Sequence, residues 1–148
     1  MTKLKIFAAI LCATATASAL NLKETKTFNE WKENLSKNTK EGYYAEVIKK
    51  CGFEIKTELD EKIVTPFMAE NTSGWSFCDA PLSTISGMCE DATSKAMIKK
   101  NINKLVCKLG KKEEASFKMA GGTLTFTFGL GASNLNDKTK EFLENNLK

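Results

Sequence analysis

Four cysteines constrain the fold of this chain more than any other feature. The 148 residues contain five cysteines, of which Cys12 lies apart in an apolar N-terminal segment. Cys51, Cys78, Cys89 and Cys107 remain, and an even number in an exported domain indicates disulfides. The alternative is a zinc site with four cysteine ligands, which usually come in C-x2-4-C pairs. Since the spacings here are 27, 11 and 18 residues, we expect two disulfides.

Two helices are predicted around these cysteines. Asp79 followed by Ala80-Pro81 is typical of a helix start. Asp91 is predicted to cap a second helix, whose apolar residues fall at i, i+4 and i+7: Ile98, Ile102 and Leu105. A tight turn between the two would fold them back as an αα-hairpin.

The hairpin selects one disulfide pairing out of three. Cys89 would lie at the turn, with Cys78 and Cys107 at the open end. Because a helix rises about 1.5 Å per residue, Cys78 and Cys89 would lie about 16 Å apart. A disulfide needs Cα atoms within about 7 Å of each other. We therefore predict the pairs Cys51–Cys89 and Cys78–Cys107.

Residues 1–19 are predicted to be a signal peptide that is cleaved after Ala19. Lys3 and Lys5 supply the positive start, and Ala17-Ser18-Ala19 supplies the small residues that a signal peptidase accepts. The apolar run between them is too short to cross a bilayer, which takes about twenty residues. We expect a secreted or periplasmic protein whose residues 20–148 form a single domain with no transmembrane segment.

There are two alternatives to cleavage at this N-terminus. The segment could be retained as a core helix, although its Ala-Thr-Ala-Thr-Ala-Ser-Ala end has little bulk to pack. Cys12 could instead carry a lipid, although Leu11 stands where a small residue is usual before such a cysteine.

Composition excludes several kinds of chemistry. All 22 basic residues are lysine, and the chain has no histidine and no arginine. The lack of histidine excludes Ser-His-Asp and Cys-His catalysis, mixed cysteine–histidine zinc sites and histidine pH switches. The lack of arginine removes the bidentate fork for phosphate, carboxylate or guanine. After cleavage, 20 lysines face 18 acids, and this weak net charge argues against nucleic acid as a partner.

The remaining pattern predicts an α+β fold. We expect helices, including the disulfide-closed αα-hairpin, packed on a small antiparallel sheet with a C-terminal β-meander and a terminal helix. Gly52 is predicted to end a helix, and Gly121-Gly122 to turn a hairpin. The other predicted elements are a helix at 28–37, a strand at 53–59, a helical turn from Thr65-Pro66, and a final helix capped by Asn136 or Asp137.

Lysines clustered along the second hairpin helix form a candidate anion-facing surface. They are Lys95, Lys99, Lys100 and Lys104. Such a surface would bind lipid headgroups, a polysaccharide or an acidic protein. The alternative is that these lysines form the solvated face of an amphipathic helix.

Trp75 and Phe77 are candidate interface aromatics. Trp75 lies beside Gly74 in a predicted loop at 71–76, and Phe77 follows this loop directly before Cys78. Aromatic side chains often anchor interfaces. The alternative is that they anchor this loop to the core.

No catalytic residues and no cofactor are predicted. The adjacent acids Asp60-Glu61 and Glu90-Asp91 suit caps and turns, and Ser94-Lys95 would point to different faces of a helix. The leading hypothesis is a non-catalytic exported module that binds an unknown protein or an anionic surface. The alternatives are a hydrolase with distant carboxylates or a Ser–Lys pair, and a secreted effector or inhibitor.

Overall fold

The computed structural model describes residues 19–37 and 42–148, so the predicted signal peptide lies outside the described residues except for Ala19. Helices and strands alternate in groups along this part of the chain. A 3-10 turn at Glu61–Ile63 precedes the third helix. The elements are α1 (Leu22–Lys37), α2 (Tyr43–Cys51), β1 (Lys56–Leu59), α3 (Val64–Ala69), α4 (Gly74–Met88), α5 (Ala92–Asn101), β2 (Lys104–Leu109), β3 (Ala115–Ala120), β4 (Thr123–Phe128) and α6 (Leu135–Asn146).

The predicted α+β class is confirmed, but the sheet is mixed rather than an antiparallel meander. Its strand order is β1-β2-β4-β3. β1, β2 and β4 run parallel, and only β3 is antiparallel to its neighbour β4. The helices α3 to α5 make the long crossover that parallel strands β1 and β2 require.

The crossing of residues 110–114 over the end of β4 explains why the meander prediction was wrong. The amide of Gly110 donates to Phe128 (2.7 Å), and the amide of Gly129 donates to Glu114 (3.0 Å). A β-carbon at Gly129 would collide with the Lys111 carbonyl, so this close approach requires glycine. After β2, the chain therefore passes over the position next to β2 and forms β3 at the edge of the sheet. It then turns back at Gly121-Gly122, and β4 fills the position between β2 and β3.

The helices form one layer on one face of the sheet. Phe67 on α3 and Phe77 on α4 both contact Phe128, and Phe142 on α6 stacks on Phe117 of β3. α4 lies at the centre of this layer and contacts the five other helices. The described helices are all too short or too polar to cross a lipid bilayer.

The two disulfides have the predicted pairing. Cys51–Cys89 joins the ends of α2 and α4, with Cα atoms 5.1 Å apart. Cys78–Cys107 joins α4 to the central strand β2, with Cα atoms 6.2 Å apart. This disulfide therefore links the helix layer to the sheet. The prediction that it closes a hairpin of two helices is wrong. The second helix ends at Asn101, before Cys107.

Two of the predicted helix ends agree with the structure, whereas α1 begins at Leu22 and not at residue 28. Gly52 ends α2 in the left-handed conformation, and the Asp91 carboxylate accepts the Ser94 amide at 2.6 Å. α4, however, begins at Gly74 and contains Pro81, which was predicted to mark its start. Similarly, α6 begins at Leu135, and its N-cap is a left-handed Asn134, two residues before the first of the predicted caps, Asn136.

Candidate functional site

The face of the sheet that points away from the helix layer is polar, and we call it the open face. Side chains alternate between the two faces of a strand. On β4, Leu124, Phe126 and Phe128 are fully buried. The threonines between them therefore point the other way. Val106 on β2 lies opposite Thr125 of β4. It is only half-buried and is not part of the hydrophobic core.

The strand register arranges the open face in three rows. Each row crosses the sheet in the order β1, β2, β4, β3, and the third row has no member on β1. The rows are Lys56, Lys104, Thr123 and Ala120; Glu58, Val106, Thr125 and Lys118; and Lys108, Thr127 and Ser116. Three threonines thus run along the middle, with lysines on both sides.

The open face carries four lysines against one glutamate, a surplus of three positive charges. Lys104 pairs with Glu58 at 2.7 Å, and their side chains remain 35% and 60% exposed. Within residues 19–37 and 42–148, no carboxylate forms an ion pair with Lys56, Lys108 or Lys118. Exposed ion pairs contribute less than about 1 kcal/mol, so the Lys104–Glu58 pair adds little to the stability of the fold.

A groove of about 570 Å³ adjoins the open face at β1 and shares Lys56, Glu58 and Lys104 with it. Its other lining residues are Tyr44, Glu54, Thr57 and Asn103. The Tyr44 hydroxyl donates to the Glu54 carboxylate at 2.5 Å. Burial, together with this hydrogen bond and the charge of Glu54, raises the pKa of Tyr44 to about 12. The phenol is therefore neutral at physiological pH.

The structure separates the four lysines of the predicted anion-facing surface. Lys104 lies on β2 and belongs to the open face. Lys95 donates to the Lys50 carbonyl at 3.0 Å, at the C-terminal end of α2. Lys99 and Lys100 are exposed in the last turn of α5. The prediction treated them as one helical surface because it continued the helix to Leu105.

Trp75 and Phe77 lie in the first turn of α4 rather than in the predicted loop. Both are half-buried and pack against the core. The Phe77 ring stacks on Phe128 at 5.2 Å and meets Phe67 edge-on at 5.1 Å. The positions of these rings match the core-anchoring alternative.

Asp79 has the most perturbed carboxyl among the described residues. It is half-buried on α4, and no described residue forms a hydrogen bond or ion pair with it. Burial raises its pKa to about 6. The local pattern around Asp79 predicts only a helix cap, because burial of a charged residue is not visible in neighbouring residues.

Metal binding finds no support in the part of the chain that the structure describes. No three cysteine, aspartate or glutamate side chains there are grouped so as to hold an ion.

The open face escaped prediction from the sequence, although its threonines were visible as the polar side of β4. Only the register with β2 and β3 places lysines beside them. A broad cationic face with hydroxyl groups suits a polar, anionic partner. Comparison with protein-family models, with curated proteins and with solved structures finds no match to this chain.

Proposed function

We propose that this protein is an exported, non-catalytic binding module that holds an anionic partner on the open face. The observation that carries the proposal is the surplus of three positive charges on that face. Lys56 and Lys104 are direct neighbours across the strands, and like charges in such positions are destabilising. Their juxtaposition is explained by a bound anion better than by folding.

Export is supported by the two disulfides, which form and persist in oxidising compartments. The predicted signal peptide at residues 1–19 would supply the route to a periplasm or to the outside of the cell. The intact mass of the exported protein should correspond to a chain that begins at Leu20. A mass that includes residues 1–19, or a lipid on Cys12, would contradict this part of the proposal.

A hydrolase is the second candidate, and the raised pKa of Asp79 is the observation that favours it. A carboxyl with a pKa near 6 suits a general acid. Glycoside hydrolysis also needs a second carboxylate about 5 to 9.5 Å away. Loss of a measured hydrolytic activity in Asp79→Asn would support this candidate over the binding module.

The proposal is tested by affinity capture with oxidised protein purified from the exported fraction of cells that express the full chain. The test variant replaces three lysines of the open face by Lys56→Gln, Lys108→Gln and Lys118→Gln. The control carries Lys99→Gln, Lys100→Gln and Lys138→Gln, which remove the same charge from exposed positions on α5 and α6.

We expect the wild type and the control to capture the same anionic partner, and the open-face variant to lose it. Equal capture by all three proteins would contradict a site on the open face. Loss in the control alone would place the site on the exposed lysines of α5 and α6 instead.

A further inference from the structure

We infer that the partner on the open face is a linear anionic polysaccharide; this inference rests on the proposed function and narrows it to one chemical class. Three kinds of observation support it. They are the side chains that the open face contains, the hydroxyl groups that the fold leaves unused, and the distances between the lysines.

The open face has no aromatic side chain, and its apolar residues are Val106 and Ala120. Peripheral membrane binding relies on Trp, Phe or Leu inserted below the headgroups. Single-stranded nucleic acid is held by bases stacked on aromatic rings, and protein hot spots are enriched in Trp, Tyr and Arg. The open face therefore lacks the side chains that usually bind a membrane, a single-stranded nucleic acid or a protein.

A polysaccharide finds its usual contacts on this face. Sugar hydroxyls need groups that both donate and accept, and a threonine hydroxyl does both. Thr123, Thr125 and Thr127 are half-buried, and no described residue forms a side-chain hydrogen bond with them. Lysines beside this row can form charge-assisted hydrogen bonds with carboxylate or sulfate groups.

The spacing of the lysines favours a polymer over a single small anion. Lys104 and Lys108 are four residues apart on β2, which corresponds to about 13 Å. Lys118 lies on β3, two strands away from β2, which corresponds to about 10 Å across the sheet. One small anion would reach one of these positions. A chain laid along β4 would contact the threonines and have lysines on both sides.

The groove at β1 lengthens this track. It continues from Lys56 and Lys104 to the Tyr44–Glu54 pair and Asn103. Asn103 is held close to the Gly122 backbone, where a β-carbon would collide with its side-chain amide. The groove thus adds polar side chains next to the lysines, and two of them, Tyr44 and Glu54, are already joined by a hydrogen bond.

Binding is measured on exported, oxidised protein by titration with heparin, which is sulfated, and with alginate, which is carboxylated. Dextran serves as the neutral polysaccharide. Vesicles containing anionic phospholipid and a single-stranded oligonucleotide test the other anionic classes. A Thr123→Val, Thr125→Val, Thr127→Val variant removes hydroxyl groups while keeping charge and side-chain shape. The two lysine variants described above complete the set, and circular dichroism verifies that each is folded.

We expect heparin or alginate to bind and dextran, vesicles and oligonucleotide not to bind. Affinity should fall about tenfold or more in the open-face lysine variant, since it loses three charge-assisted contacts, and by several-fold in the threonine variant. The control lysine variant should stay within about twofold of wild type. The affinity should also fall as salt is raised, because exposed charges are screened.

Other results would overturn the inference. If the threonine variant binds the polysaccharide as well as wild type does, the threonine hydroxyl groups have no role in binding. The open face then does not recognise sugar hydroxyl groups. If vesicles or the oligonucleotide bind as tightly as the polysaccharides or more tightly, the partner of the open face belongs to another chemical class. If neither polysaccharide binds while affinity capture still depends on the open-face lysines, this inference fails and the proposed function stands. If capture is also independent of those lysines, both fail.

Discussion

Lys56 on β1 and Lys104 on β2 lie directly opposite each other in the parallel register, and Glu58 forms an ion pair with only one of them. This arrangement places the backbones of the two lysines about 5 Å apart across the strands. The two positive charges repel each other and so lower the stability of the fold. A bound anion would relieve this repulsion, so the arrangement suits binding.

Replacing Lys56 should therefore have opposite effects on folding and on binding. We expect Lys56→Thr to raise the free energy of unfolding by about 0.5 kcal/mol and to weaken binding of the anionic partner. Urea unfolding and the polysaccharide titration measure the two effects. Lys118→Thr is the control, since Lys118 lies opposite Thr125. It should weaken binding with no gain in stability. A loss of stability in Lys56→Thr would give that lysine a structural role.

Ionisation of Asp79 should lower stability as the pH rises. Burial raises its folded-state pKa from 3.8 to about 6, so the folded state binds the proton more tightly than the unfolded state does. Stability then falls between about pH 4 and pH 6 and stays low above that range. Asp79→Asn should add about 1 kcal/mol at pH 7, a value discounted for partial solvent exposure, and almost nothing at pH 4.

Urea unfolding at pH 4 and pH 7 measures this difference. Glu141→Gln is the control, because it removes the same charge from an exposed position on α6. An equal effect of Asp79→Asn at both pH values would show that ionisation of Asp79 does not determine the change.

The two disulfides should contribute similarly to stability. They close loops with sequence separations of 38 and 29 residues. We expect Cys51→Ala/Cys89→Ala and Cys78→Ala/Cys107→Ala each to lower the free energy of unfolding by about 3 kcal/mol. Non-reducing peptide mapping of the wild type checks the pairing itself. A peptide that links Cys78 to Cys89 would contradict the description of α4.

Two glycines should respond to alanine in opposite directions. At Gly87, in α4, an added β-carbon meets no atom within 4 Å. Gly87→Ala should raise stability by about 0.5 to 1 kcal/mol, because alanine is the better helix former. At Gly129 the added carbon would collide with the Lys111 backbone. Gly129→Ala should lower stability by about 1 to 3 kcal/mol.

Thermal and urea unfolding of the two alanine variants provide the comparison. Equal effects in both would mean that residues 110–114 do not pass as closely over the end of β4 as described.

Local patterns were sufficient to predict the elements of this fold but not their arrangement. The glycine at the end of α2 and the Asp91 cap are properties of neighbouring residues, and the structure confirms them. The parallel pairing of β2 with β4 depends on the path of residues 110–114. No short-range signal encodes that path.

The start of α4 shows how packing overrides a local signal. Asp79 and Pro81 resemble a helix start, yet Phe77 and Cys78 are held in helical geometry by Phe128 and Cys107. Gly74 permits this earlier start, because any side chain there would collide with Ile63 and Trp31.

The candidate site was only partly within reach of the sequence. A lysine surface was predicted, but on a helix. The four lysines of the open face come from three strands, and only the sheet register brings them to one side. Lys104 is the residue common to the predicted surface and the open face.

The most direct test of an anion-binding open face is an NMR titration of ¹⁵N-labelled exported protein with heparin. We expect the largest amide shifts on β2, β4 and β3, around Thr125 and its neighbours Val106 and Lys118. The same titration of the Lys56→Gln, Lys108→Gln, Lys118→Gln variant should show these shifts greatly reduced. Shifts confined to Lys99, Lys100 and the rest of α5, with the sheet unaffected, would show that the anion binds α5 and not the open face.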